Sequence, residues 1–84
     1  MMTKKYFKGP TESTLGEGIV YTEFDGEVAA RQVENFGGKW YSSRHEYHDE
    51  IGPGLYDGKL SDLDLSDSVE ISSDDFELVW QESE

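Results

Sequence analysis

Gly18-Ile19-Val20-Tyr21-Thr22-Glu23-Phe24-Asp25-Gly26, continued by Glu27-Val28-Ala29-Ala30-Arg31-Gln32-Val33-Glu34-Asn35-Phe36-Gly37-Gly38 and Lys39-Trp40-Tyr41-Ser42-Ser43, is the stretch that decides the fold. Its apolar runs are cut at Asp25-Gly26 and Gly37-Gly38. These are the dipeptides of two-residue type I′ turns, in which both central residues need φ > 0. The spacing predicts a three-stranded antiparallel meander over residues 18–44. With Asp25-Gly26 as the first turn, Phe24 opposes Glu27, Thr22 opposes Ala29 and Val20 opposes Arg31. With Gly37-Gly38 as the second, Asn35 opposes Trp40 and Val33 opposes Ser42. Period-two alternation then gathers Val20, Phe24, Ala29, Val33 and Trp40 on the core side. The other face carries Ile19, Tyr21, Val28, Ala30 and Tyr41 with Glu23, Gln32 and Glu34. It is too apolar to stand wholly in water, so part of it needs a cover. A bulge at either glycine turn would exchange part of this assignment.

Upstream, residues 1–9 read as an edge strand or a frayed terminus. Tyr6-Phe7 favours strand, the flanking lysines suit an edge, and Gly9-Pro10 is a breaker. Thr11 to Glu17 reads as a loop. Downstream, residues 45–70 read as an irregular acidic connection, because Gly52-Pro53-Gly54 and Asp57-Gly58 interrupt it too often for a long element. Residues 72–81 read as a helix. Ser72 is placed to cap it, Asp75 at the third position closes a capping box, and Ile71 can staple onto Phe76. Phe76, Val79 and Trp80 fall on one face at i, i+3 and i+4, and so short a helix must pack that face on the sheet. The fold expected is α+β: a single domain with a three- or four-stranded antiparallel meander and a C-terminal helix on one face.

At 84 residues and a net charge of −12, the chain has a thin core and a strongly acidic surface. Thirteen acids follow Arg44 against one base, Lys59. Such a surface repels phosphate backbones and anionic lipid, so nucleic-acid and membrane-surface binding are disfavoured and a basic protein is the expected partner. No cysteine is present, which rules out disulfides and thiolate zinc sites and points to a cytoplasmic setting. No signal-peptide pattern and no bilayer-length apolar run is seen, so a soluble protein is expected.

Glu23-Phe24-Asp25-Gly26, Arg31-Gln32-Val33-Glu34 and the closing Ser72-Ser73-Asp74-Asp75-Phe76-Glu77-Leu78-Val79-Trp80 resemble a family of small acidic bacterial domains of unknown function. That family joins an acidic strand turn and an Arg-containing strand to a Ser-x-x-x-Phe-Glu-x-x-Trp helix. The resemblance covers less than half the chain, and Arg44 to Asp67 depart from the pattern. It implies the fold and no activity; a role as an immunity protein follows from it only by analogy.

No motif specifies a chemistry. His45, His48 and Asp49, with Glu46 and Glu50, are the densest set of metal-ligand types, but the histidines stand at i and i+3 rather than the i and i+4 of H-E-x-x-H. A solvated loop is the expected reading, and a metal-dependent enzyme centred on His45 and His48 is the alternative. Asp62, Asp64 and Asp67 fail the EF-hand pattern, whose sixth and twelfth positions would fall on Asp67 and Ser73. No G-x-S-x-G or phosphate loop occurs. Arg31, the only base in its strand, is expected to pack its stem on the core and reach a carboxylate, with an anion or partner contact as the other reading. Trp40 and Trp80 are expected in the core. The function expected is a non-enzymatic interaction domain without cofactor, meeting a basic partner through Asp62, Asp64, Asp67 and Arg31. A charge mimic of nucleic acid that blocks a basic cleft is a further alternative.

Overall fold

The computed structural model describes residues 3–84. Strands β1 (Lys4–Ser13), β2 (Gly16–Asp25), β3 (Val28–Phe36) and β4 (Lys39–Ser42) follow one another as antiparallel hairpins. A small separate ladder of β5 (Tyr47–His48) and β6 (Gly52–Pro53) comes next, then a 3-10 turn at Leu60–Asp62. Strand β7 (Val69–Ile71) leads into helix α1 (Ser73–Glu82). The main sheet has five strands in the order β4-β3-β2-β1-β7. The α+β class with meander-like strands and one C-terminal helix is as the sequence indicates.

The N-terminal segment is longer and more central than expected. β1 pairs with β2 over its whole length, from Lys4 opposite Asp25 to Ser13 opposite Gly16, and β7 flanks it at Tyr6 to Lys8. It is therefore an inner strand at Tyr6 to Lys8, and Thr11 to Ser13, with Gly16 and Glu17 of β2, are strand rather than loop. Gly9-Pro10 does not break it because β7 reaches only to Lys8. Past that point one edge of β1 is open, where a residue without an N–H is tolerated. Met1 and Met2, the start of the expected edge strand or frayed terminus, lie outside the described residues.

The first hairpin corrects the expected register. Asp25 pairs with Val28, so the turn residues are Gly26 and Glu27. Gly26 has φ 64°, and among the described residues none other than glycine has positive φ. Positive φ at the first central position alone is the type II′ pattern, which wants glycine there. Phe24 then opposes Ala29 while Glu23 opposes Arg31, so Ala30 is the extra residue of a β-bulge. Beyond the bulge the parity changes. Val33 and Trp40 join Ile19, Tyr21 and Glu23 on one face, while Val20, Thr22 and Phe24 share the other with Ala29, Gln32, Glu34 and Tyr41. The second hairpin has the expected register, with Gly37 and Gly38 at φ 60° and 88° in a type I′ turn.

Both faces of the sheet are covered. The helix lies on the Val33 face, where Phe76 and Val33 are fully buried and the Phe76 ring centroid is 5.4 Å from that of Tyr6. The opposite face buries Phe24, Ala29, Phe36 and Tyr41. Its cover is the 45–68 connection: Tyr56 packs edge-on against Phe24 at 6.3 Å, and Leu63 and Leu65 lie over Phe7, Val20 and Phe24. The connection ends in strand β7 and is not irregular throughout.

Ser72 caps the helix by accepting the Asp75 N–H at 3.1 Å, and Asp74 and Asp75 sit against the positive end of its dipole. The last turn has no base of its own. Arg44, just after β4, supplies one: its guanidinium donates to the Trp80 carbonyl at 2.7 Å and to Ser83 Oγ at 2.8 Å, and lies 3.8 Å from the Trp80 ring centroid. Phe76, rather than Trp80, is the fully buried anchor of the helix; Trp40 and Trp80 are half-buried. Among the described residues no helix is long and apolar enough to cross a membrane.

Candidate functional site

The bulge places Glu23 and Arg31 side by side beneath the helix. Arg31 donates through Nε and Nη2 to the two oxygens of Glu23, both at 2.8 Å, in the bidentate geometry that a planar guanidinium favours. It also pairs with Glu77 of α1, and its guanidinium carbon is 5.1 Å from the ring centroids of both Phe76 and Trp80. Glu23 is only 2% exposed. The hydrogen bonds from Arg31 outweigh its burial and hold the carboxyl below the usual carboxylate range. Burial, followed by the Glu23 carboxylate, raises the Tyr6 phenol above its usual range. This cluster ties helix to sheet. Its cation already serves two internal carboxylates, so Arg31 is placed as a core-side pair rather than as a free anion contact.

On the other face, the Gln32 amide donates to Glu34 at 3.0 Å and accepts the Tyr56 N–H at 2.9 Å. Burial raises the Glu34 carboxyl above its ordinary range. The Tyr41 hydroxyl is buried beside the Lys39–Glu50 pair without meeting either at hydrogen-bond geometry.

His45 and His48 lie with ring centroids 5.7 Å apart, and Nε2 of His48 is 2.8 Å from the Ser42 carbonyl. That nitrogen is occupied by backbone. Asp49 is exposed in the β5–β6 turn. Among the described residues, no three of His, Cys, Asp and Glu converge as a metal site.

Asp62, Asp64 and Asp67 are all exposed on the connection. Leu65 is half-buried and Leu63 37% exposed at a depression over Phe7, Val20 and Phe24, which Asp64 also borders. Asp64 accepts the Ser66 N–H at 3.0 Å, which lowers its carboxyl pKa. The segment is pinned at its start by Glu27, whose carboxylate accepts the Ser61 N–H and whose carbonyl accepts the Leu60 N–H, each at 2.9 Å. Of the nineteen acids, Glu23, Glu50, Glu77 and Glu84 meet a cation among the described residues; Asp62, Asp64 and Asp67 do not.

Two features escaped the sequence reading. The pairing of Arg31 with Glu23 depends on the bulge, although the lone base of one apolar strand beside a strand with Glu23 in its apolar run was a usable signal. The row of exposed apolar side chains at Ile19, Val69 and Leu78 depends on β1 and β7 being neighbours, for which the local pattern held no sign. The fold and site together define a small acidic α+β domain with an internal ion cluster. No family model, curated protein or solved structure matches the chain.

Proposed function

We propose that this chain is a non-enzymatic, cytoplasmic interaction domain whose acidic surface receives a basic protein. One observation carries the reading: Asp62, Asp64 and Asp67 stand exposed and without ion pairs among the described residues, on a segment that Glu27 holds at Leu60 and Ser61. Charges on a pinned segment hold a fixed pattern, so they steer a cationic surface without the ordering cost of a free tail. The lack of cysteine fits a reducing compartment. Pull-down from the native host at low and high salt tests the reading. Retained proteins should be basic and should be lost as salt screens charges beyond about 8 Å at 0.15 M. Retention of neutral or acidic proteins, indifferent to salt, would remove its support.

A further inference from the structure

The helix covers only part of its face of the sheet. Beyond it, two adjoining depressions of about 290 Å³ each share Lys8 and run across β1 and β2 from the helix towards the β1–β2 hairpin. Pro10, Ile19, Tyr21, Val69, Ile71 and Leu78 supply the apolar lining. Val69 is 59% exposed, Leu78 63% and Ile19 38%, from three elements that meet only in the folded chain. A third depression, of about 440 Å³, continues the line past Pro10 between Glu12 and Glu17. Asp67 stands beside the middle depression and Asp75 beside the one at the helix. The groove therefore has an apolar floor, four carboxylates on its rim and one base, Lys8.

We infer that this groove docks a basic amphipathic segment of a partner protein, with large apolar side chains on the floor and lysine or arginine against Glu12, Glu17, Asp67 and Asp75. Charge selects this occupant. A second copy of the chain would bring another net charge of −12 against an acidic rim, and an anionic lipid or nucleic-acid backbone would meet the same repulsion. A purely cationic partner would leave the apolar floor in water. The inference rests on the basic-partner reading, shares Asp67 with its acidic segment, and adds an apolar groove beside that segment.

The test uses three synthetic peptides of equal length: leucine–lysine amphipathic, leucine–glutamate amphipathic and oligolysine. Binding is followed by NMR shifts of the full chain. The leucine–lysine peptide should bind most tightly and shift Ile19, Val69 and Leu78. Leu78→Ser, at an exposed position that does not endanger the fold, should weaken it about tenfold, the equivalent of burying one leucine side chain. Lys8→Glu should tighten it by removing the one base in the groove. Equal binding of oligolysine and the leucine–lysine peptide, with Leu78→Ser neutral, would overturn the groove while leaving the acidic reading intact. Binding of neither cationic peptide would overturn both. Preference for the leucine–glutamate peptide, or concentration-dependent self-association that Leu78→Ser abolishes, would also overturn it.

Discussion

Arg31 joins two strands to the helix through Glu23, Glu77 and the rings of Phe76 and Trp80. Removing one partner of a buried pair leaves the other charge stranded. Arg31→Met should therefore cost about 3 kcal/mol, whereas Arg31→Met combined with Glu23→Leu should recover much of it. Urea denaturation of the two variants measures the difference; equal losses would show that Glu23 does not need its partner. Two carboxyls give acid titration opposite signs. Glu34 has a raised pKa when folded, so the native state holds its proton first, and stability rises as pH falls through that range. Glu23 has a lowered pKa, so its contribution is present above the unfolded value and is lost as pH falls through the folded one. Glu34→Gln should abolish the mildly acidic rise and leave the later fall. Denaturation midpoints across the acid range check this. The sequence showed Arg31 as a base seeking a carboxylate but could not name Glu23, because a single bulge residue, Ala30, decides which side chains stand opposite.

Among the elements, the two hairpins show what local pattern carries and where it stops. Gly37-Gly38 determines its turn outright, since two glycines at positive φ are what type I′ requires. Asp25-Gly26 marks a turn but not its frame. The same glycine also serves as the first residue of a type II′ pair, a frame that slides the pairing by two residues, and the bulge then moves Val33 to the other face. Gly26→Val should cost about 1 kcal/mol or more, because a β-branched side chain resists φ > 0; an unchanged midpoint would place the turn elsewhere. The helix was legible from its cap and its Phe76-Val79-Trp80 spacing, yet exposure was not. Phe76→Ala should cost roughly 3–5 kcal/mol, enough to unfold a domain of this size, while Trp80→Ala should cost less because Trp80 is only half-buried. Thermal unfolding of both variants ranks them; a larger loss at Trp80 would reverse the assignment of the anchor. β1 and β7 were the hardest elements to read. One continues through a Gly-Pro, and the other is three residues long and gains its strand character only by pairing with β1.

At the scale of the whole molecule, charge dominates. The net charge is −12 and fifteen acids form no ion pair among the described residues; their mutual repulsion means that added salt should raise the denaturation midpoint. Composition showed this acidity at once. What it could not show is that Glu27 holds the start of the connection bearing Asp62, Asp64 and Asp67 through two hydrogen bonds. The most direct measurement is the rate at which the recovered basic partner associates with the wild-type chain and with an Asp62→Lys, Asp64→Lys, Asp67→Lys variant, followed by stopped flow across a range of salt. The expected result is a wild-type rate that falls steeply with salt and a variant that associates more slowly, dissociates at nearly the same rate and is folded at least as stably. Equal association rates for the two chains at low salt would contradict the claim that these acids receive a partner.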